Sequence, residues 1–238
     1  PMTIIHHSAV THVGKVRKVN EDSILALPDQ RIWVVADGMG GYEGGDFASQ
    51  TVVDAVAMIP LNLKPAEQMQ ALRRAIIGAH TTILAEIERR GGGTVGAAVA
   101  AMMISGEHFV CFWAGDCRLY LLRGGAIDLL TSDHSLVAEL VHAGQMTWDE
   151  AEKHPQSNAI TRAVGVGDEL ELDKIRGTIE PGDRYLLCSD GLNKYAGFDL
   201  LRGTLLNSPI ETISDKLLNI ALDGGGADNI SVIVVDTI

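Results

Sequence analysis

Acidic residues stand beside the ends of apolar, strand-like runs of the chain: Asp37-Gly38, Asp133-His134, Asp190-Gly191 and Asp228-Asn229. A strand holds its terminal side chain rigidly, and a following glycine lets a ligand approach the backbone closely. Converging carboxylates repel one another unless cations neutralise them, and oxygen ligands favour Mg²⁺ or Mn²⁺ over zinc. Any one Asp-Gly pair could be an ordinary turn, but the recurrence of acids at strand ends favours a site for divalent cations.

A charged segment near the N-terminus, Arg17-Lys18-Val19-Asn20-Glu21-Asp22, could serve a phosphate group. Arginine can grip phosphate through two parallel hydrogen bonds. Glu21 could hold a metal-bound water without binding the metal itself. Taken alone, however, the segment is typical of a charged surface loop.

The elements that would position these side chains are short buried strands and amphipathic helices. Strands are predicted at residues 32–36, 95–104, 109–114, 118–122, 185–188 and 230–235, separated by glycine-rich turns. Helical periodicity is present over residues 47–59, 65–90 and 209–222, and a shorter helix is predicted over 135–142. Because the elements come in blocks, we predict an α+β fold in which two mostly antiparallel β-sheets pack as a sandwich with helices on both outer faces.

The composition limits the class of protein. The 238 residues are 46% hydrophobic, which predicts a single globular domain over residues 1–238. We expect a cytoplasmic protein, because no run approaches the ~18 apolar residues of a membrane span and residues 1–7 lack the pattern of a signal peptide. The net charge of −12 argues against nucleic-acid and anionic-membrane partners, although simple solubility would explain it equally.

The three cysteines, Cys111, Cys117 and Cys188, lie inside apolar or strand-like segments, and no pair has C-x-x-C spacing. Structural thiols in a reducing compartment fit this arrangement better than a catalytic cysteine does. We also find no nucleophilic cysteine or serine motif, so the sequence does not call for a covalent phosphoenzyme.

Eight short motifs follow one another along nearly the whole chain. They are Gly14-x-x-Arg17-x-x-Asn20-Glu21-Asp22, Ala36-Asp37-Gly38-Met39-Gly40-Gly41, Gly93-Thr94, Ala114-Gly115-Asp116-Cys117-Arg118, Leu130-Thr131-Ser132-Asp133-His134-Ser135, Ile160-Thr161-Arg162-Ala163-Val164-Gly165, Cys188-Ser189-Asp190-Gly191-Leu192 and Asp228-Asn229-Ile230-Ser231-Val232. Each motif is weak alone, but coincidence is a poor explanation for eight in this order. The set resembles the bacterial branch of the metal-dependent protein phosphatases, often called type 2C.

The resemblance implies a set of metal ligands. Asp37 resembles the carboxylate that bridges two metals, and Gly38 resembles the residue whose backbone carbonyl binds one of them. Asp190 and Asp228 resemble the other direct ligands of the binuclear pair. Asp133 resembles the ligand of a third, weaker metal that it shares with Asp190.

The resemblance also implies roles around the metals. Arg17 resembles the arginine that clamps phosphate, and Glu21 resembles the residue that orients bound water, with Asp22 supporting it. Asn229 is expected to buttress Asp228. Asp116 and Arg118 resemble a structural turn of that family, and no catalytic role is expected for them.

One position departs from the better-known eukaryotic members, which have a histidine, proposed as the general acid, directly after the Asp-Gly pair. Met39 stands there in this chain, as in bacterial relatives, and methionine cannot donate a proton. His134 is a possible substitute, but a histidine that packs beside a helix start is the more ordinary interpretation. A metal-bound water is the acid that we prefer.

The activity implied by the resemblance is hydrolysis of phosphoserine and phosphothreonine on proteins, by a water or hydroxide that bridges two Mn²⁺ or Mg²⁺ ions. Bacterial members often oppose a Ser/Thr kinase, so phosphoproteins and such a kinase are the implied partners. Residues 136–158 resemble a flap beside the metals; we expect it to help choose the substrate, the alternative being a packed helical hairpin. Two other functions stay open: a catalytically weak or inactive relative that binds phosphoproteins or senses a ligand, and a metal hydrolase of another phosphate ester.

Overall fold

The computed structural model describes residues 3–41 and 43–238, so residues 1 and 2 of the stretch considered for a signal peptide lie outside it. The strands are β1 (Ile5–His12), β2 (Asp22–Leu27), β3 (Ile32–Gly40), β4 (Val95–Ser105), β5 (His108–Ala114), β6 (Arg118–Arg123), β7 (Ala126–Leu129), β8 (Asp173–Thr178), β9 (Arg184–Cys188) and β10 (Ile230–Thr237). The helices are α1 (Gly44–Ala57), α2 (Pro65–Arg89), α3 (Leu136–His142), α4 (Trp148–Glu152), α5 (Asp190–Asn193), α6 (Phe198–Asn207) and α7 (Ile210–Gly224).

The strands form two five-stranded sheets in which all paired neighbours are antiparallel. One sheet has the order β1-β10-β9-β6-β7, and the other has the order β2-β3-β4-β5-β8. Helices α1 and α2 cover the outer face of the second sheet, and α5, α6 and α7 cover the outer face of the first. The predicted α+β sandwich with helices on both outer faces is confirmed.

The central strands are apolar on both faces because each sheet is covered twice. In β3, Trp33 and Val35 point into the layer between the sheets, whereas Val34 and Ala36 pack beneath α1 and α2. Successive side chains of a strand point to opposite faces. The continuous apolar runs in the sequence therefore reflect burial on both sides of each sheet.

The structure extends one predicted strand and contains several elements that the sequence did not predict. Strand β3 continues past Asp37 to Gly40, because β4 goes on pairing with it up to Gly40 opposite Val95. Strand β1 has partly exposed, polar residues and no apolar run, and it is held at the sheet edge by its pairing with β10. Strands β2, β7 and β8 and helices α4, α5 and α6 were likewise not predicted.

Helix α2, at 25 residues, is long enough in principle to cross a bilayer, but its exposed face is polar and charged. Across residues 3–41 and 43–238, no helix has both the length and the apolar character of a membrane span.

Candidate active site

A cavity of about 280 Å³ is lined by residues of β3 and β4, by residues next to the ends of β9 and β10, and by the segment that precedes β2. Its lining residues are Arg17, Val19, Glu21, Asp37, Gly38, Met39, Gly40, Ala98, Asp116, Asn158, Ile160, Asp190, Lys194, Asp228 and Asn229. Six of the seven residues predicted to bind metal or phosphate or to orient water meet here: Arg17, Glu21, Asp37, Gly38, Asp190 and Asp228. Asp133 does not line this cavity.

The position of Asp37 is set by strands on both sides, since it pairs with Asp22 on β2 and with Ala98 on β4. The glycine that follows has a packing reason. A Cβ atom on Gly38 would overlap the carbonyl oxygen of Gly45 at the start of α1. The backbone at the start of α1 therefore packs directly against Gly38. This close contact places α1 behind Asp37.

A second close approach brings Asp190 and Asp228 together. Strand β9 ends at Cys188, and Asp190 begins the short helix α5. A Cβ atom on Gly191 would overlap the carbonyl oxygen of Asn229, just before β10. Glycine at this position thus allows the residues on either side of the contact, Asp190 and Asp228, to reach the same cavity.

Excess negative charge is concentrated at the base of the cavity. Burial raises the pKa of Asp22 to about 6, even though its Oδ2 atom accepts hydrogen bonds from the hydroxyls of Ser189 at 2.9 Å and Ser231 at 2.7 Å. Burial, reinforced by the neighbouring carboxylates, also raises the pKa values of Asp37 and Asp116 well above their ordinary range. A buried carboxyl among other carboxylates is stable only when it is protonated or faces a positive charge.

The donor set fits hard divalent cations. The Oδ1 atom of Asp190 is buried and has no hydrogen-bond partner, as has the Oδ1 atom of Asp22. Within the described residues, no three His, Cys, Asp or Glu side chains surround a single point where an ion could sit. Each ion would thus take one or two carboxylates and complete its shell with backbone and water oxygens, as Mg²⁺ usually does.

Asn229 holds the segment that carries Arg17 and Glu21. Its Oδ1 atom accepts a hydrogen bond from the Glu21 N–H at 2.9 Å, and its Nδ2 atom donates to the carbonyl oxygens of Val13 at 2.9 Å and Val19 at 3.0 Å. The Asn229 N–H also donates to Oδ1 of Asp228 at 2.8 Å. One side chain therefore joins the start of β10 to both ends of the segment.

Arg17 lies at the mouth of the cavity, and Glu21 lies deeper in it. The Arg17 side chain is 61% exposed, and its Nε atom lies 3.6 Å from Oδ1 of Asp228, which places the guanidinium at the mouth. Glu21 packs against Gly45 at the start of α1. Burial and then the charge of Asp46 raise the pKa of Glu21, and Arg17 partly opposes that increase.

Asp133 is engaged by an arginine. Both of its carboxylate oxygens accept hydrogen bonds from Arg118, at 3.0 Å from Nε and 2.8 Å from Nη2. Asp116, interpreted from the sequence as part of a structural turn, instead lines the cavity beside Asp190. One signal was available: Asp116 closely follows the apolar run 109–114, the same pattern that marked Asp37.

Lys194 was not singled out in the sequence, yet its ammonium lies between two of the predicted ligands. Its Nζ atom is 3.3 Å from Oδ2 of Asp190 and 3.1 Å from Oδ2 of Asp228. Burial lowers the pKa of this ammonium, but Asp190 and Asp228 outweigh that effect and raise it. The spacing of four residues from Asp190, one helical turn, was the available signal.

His134 does not line the cavity, whereas Met39 does. The Nδ1 atom of His134 accepts a hydrogen bond from the Gly115 N–H at 3.0 Å, and its Nε2 atom lies 2.7 Å from Oδ2 of Asp173. The ring stacks on Trp113 at a centroid distance of 6.0 Å. These contacts give His134 a packing role.

A larger cavity, of about 840 Å³, adjoins the first and shares Asp116, Asn158, Asp190 and Lys194 with it. Helices α3 and α4 contribute Val137, Trp148 and Ala151 to one side of its wall. Residues around α5 and α6 contribute Tyr195, Ala196 and Phe198. The segment 136–158 therefore borders a partly apolar groove that opens into the acidic cavity.

Comparison with known proteins gives one consistent family. The family model described as protein phosphatase 2C matches residues 12–221. The serine/threonine protein phosphatase PstP of Mycobacterium tuberculosis is 34% identical over 239 residues, which cover 99% of this chain and 45% of that protein. The chain thus spans about half the length of this curated relative.

Solved structures agree with the sequence comparison. PppA, a key regulatory component of T6SS in Pseudomonas aeruginosa, superposes with a TM-score of 0.91 at 39% identity, covering 100% of this chain and 99% of that one. The catalytic domain of the serine/threonine protein phosphatase PstP in complex with two manganese ions superposes with a TM-score of 0.90 at 32% identity, covering 99% of both chains.

Proposed function

The chain belongs to the protein phosphatase 2C family, and on that premise we propose that it is a metal-dependent hydrolase of phosphoserine and phosphothreonine in proteins. The observation that carries the proposal is the meeting of Asp37, Asp190 and Asp228 in one cavity with Arg17 at its mouth. The relative crystallised with two manganese ions supports the choice of divalent cations.

The chain's own residues would hold the cations. Asp37 would bridge two Mn²⁺ or Mg²⁺ ions, with the carbonyl of Gly38 and the carboxylates of Asp190 and Asp228 completing the protein ligands. When bound, the cations supply the positive charge that lowers the pKa of water and offsets the charge of the phosphoryl group. The raised pKa values of Asp37 and Asp116 support this role, because positive charge can take the place of the protons that these buried carboxyls would otherwise retain.

Arg17 and Glu21 would handle phosphate and water. The exposed guanidinium of Arg17 can donate two parallel hydrogen bonds to phosphoryl oxygens and orient the phosphorus towards the cavity. Glu21 lies deeper, where it can accept a hydrogen bond from the attacking water and hold it in line. Met39 lines the cavity but cannot donate a proton, so the leaving oxygen would be protonated from water.

A third, weaker cation shared by Asp190 and Asp133 was expected from the resemblance. At Asp133 it would share the carboxylate with the guanidinium of Arg118, whose positive charge opposes cation binding. Asp133 shares only the larger cavity with Asp190, whereas Asp116 lines both cavities with it. Among the hydrogen bonds of the described residues, Asp116 has no arginine partner of the kind that Asp133 has. We therefore propose Asp116 as the carboxylate that contributes with Asp190 beyond the binuclear pair.

The segment 136–158 would select the protein substrate through the larger cavity. Trp148 is 52% exposed and Phe198 is 49% exposed on the walls of that groove. A bulky apolar residue near the phosphorylated position would bury this surface. Trp148→Ala should lower kcat/KM roughly tenfold for phosphopeptides with such a residue, and Leu200→Ala on α6 is a matched control.

The physiological partners would be phosphoproteins and a Ser/Thr kinase whose products this chain dephosphorylates. Phosphatases among the relatives, such as PstP, support this expectation. The kinase and the predicted cytoplasmic location both remain predictions.

The decisive test is an assay of a phosphothreonine peptide with Mn²⁺, with Mg²⁺ and with a chelator. We expect turnover that requires the cation, and a preference for phosphopeptides over nucleotides and small phosphate esters. Binding of the phosphopeptide without turnover would support an inactive phosphoprotein-binding relative, and faster hydrolysis of a small ester would support the other alternative. Full turnover in the chelator would exclude the metal mechanism.

A further inference from the structure

Lys194 is a charged residue lining the cavity to which the proposed mechanism gives no role. It is the first residue after α5. Its Nζ atom lies 3.3 Å from Oδ2 of Asp190 and 3.1 Å from Oδ2 of Asp228. Its side chain is 31% exposed, about half the exposure of Arg17, so this is a partly desolvated contact and not a surface ion pair.

The hydrogen bonds of Asp228 show how the ammonium of Lys194 would affect the binding of a divalent cation. Its Oδ2 atom accepts from Lys194 at 3.1 Å, and its Oδ1 atom accepts from the Asn229 N–H at 2.8 Å. Both carboxylate oxygens of Asp228 are therefore already engaged. A cation that uses Asp190 and Asp228 together must displace the ammonium or repel it.

We propose that Lys194 is an internal counter-ion that competes with divalent cations for Asp190 and Asp228. Without cations it stabilises the two carboxylates; with cations it must move away, so it weakens their binding. The inference rests on the proposed function, because it assumes that these two aspartates bind the ions.

The size of the effect follows from the population of the bridged arrangement. If Lys194 bridges the two aspartates in about 90% of the cation-free molecules, only about a tenth are competent to bind, and the apparent dissociation constant rises about tenfold. Removing the positive charge at this position should therefore tighten cation binding. Structural damage at the site would have the opposite effect.

The first measurement is calorimetric titration of the metal-free protein with Mn²⁺. We expect Lys194→Met to bind the ion about tenfold more tightly than the wild type, and Lys194→Arg, which keeps the charge, to stay within about threefold of it. Lys216→Met, on the exposed face of α7, removes the same charge far from the cavity and should leave the affinity unchanged. Lys194→Gln is a second neutral variant, should the methionine variant fold poorly.

The second measurement is thermal unfolding with and without Mn²⁺. In the chelator, Lys194→Met should melt about 2–4 °C below the wild type, because repulsion between the aspartates is no longer offset. Saturating Mn²⁺ should then raise its melting temperature by more than it raises that of the wild type.

Two results would overturn the inference, and they have different meanings. Should both neutral variants bind Mn²⁺ no more tightly than the wild type, Lys194 is not a competitor, although the metal site itself would stand. A wild-type protein that binds no Mn²⁺ at all would remove the proposed function together with this inference.

Discussion

At the scale of single residues, Asp37 combines a central position with an unfavourable environment. Burial and then the carboxylates of Asp22, Asp190 and Asp116 raise its pKa. A folded protein without cations must tolerate this crowding, which lowers its stability. Such an arrangement is typical of a functional site, because a purely structural position would be more stable with a neutral side chain.

Replacing Asp37 should separate activity from stability. Asp37→Asn keeps the shape of the side chain but removes the bridging charge, so we expect turnover to fall by more than the 10–100-fold that is typical of residues outside the ligand shell. Melting in a chelator should stay equal to that of the wild type or rise, since one buried charge is gone. A variant that keeps normal turnover would contradict the assignment of Asp37.

A second comparison distinguishes Asp116 from Asp133. Asp133→Asn weakens the two-point contact with Arg118, whose side chain is only 19% exposed, so it should lower the melting temperature measurably. Asp116→Asn should instead reduce turnover at saturating Mn²⁺ without lowering the melting temperature in chelator. The reverse pattern would return the role beside Asp190 to Asp133.

At the scale of elements, the segment between β1 and β2 is held in place from outside itself. Its Val13 and Val19 carbonyls and its Glu21 N–H are all bonded by the side chain of Asn229, at the start of β10. The residue just before the last strand of the chain, β10, thus sets the position of the segment that carries Arg17, which would bind phosphate. Asn229 is a positioning residue, because it acts through Arg17 and Glu21.

Removing this connection should loosen the segment. Asn229→Ala leaves partly buried backbone groups without their partner, so we expect a loss of about 1 kcal/mol in the free energy of unfolding. Because Arg17 is then free to move, KM for a phosphopeptide should rise more than kcat falls, while calorimetric Mn²⁺ affinity stays within a few-fold. Asn219→Ala, on the exposed face of α7, provides the control. Unchanged KM would argue that the segment is held by other contacts.

At the scale of the whole molecule, the acidic cavity couples stability to pH and to cations. The folded-state pKa of Asp22 is raised to about 6, and those of Asp37 and Asp116 are raised well above their ordinary range, so the metal-free fold binds more protons than the unfolded chain does. The stability that these protons provide is complete below about pH 4 and is lost as the pH rises through about 6.

We therefore expect the melting temperature of the metal-free protein to fall between pH 5 and pH 7.5, and Mn²⁺ to restore it at the higher pH. The measurement is thermal unfolding in chelator and in Mn²⁺ at both values. Asp22→Asn should flatten the decrease in chelator. A metal-free protein that is equally stable at both pH values would show that these carboxyls are not crowded in solution.

Much of the site could be predicted because its residues share a local pattern. Asp37, Asp190 and Asp228 each stand beside an apolar strand, and the order of the motifs identified the family to which the chain belongs. The layered fold could be predicted as well, since the apolar runs in blocks imply two sheets that are covered on both faces. These properties depend on residues close together in the sequence, where the chemistry of each side chain and the period of the element suffice.

What the tertiary structure decided depends on contacts between distant parts of the chain. The sequence suggested that Gly38 and Gly191 allow a ligand to approach the backbone. In the structure, Gly38 instead packs against the backbone of Gly45, 7 residues away. Gly191 packs against the backbone of Asn229, 38 residues away. The pairing of Asp133 with Arg118, and the place of Lys194 between Asp190 and Asp228, also follow only from the folded arrangement. Which charge faces which is set by distance in space, and a sequence shows only which charges are present.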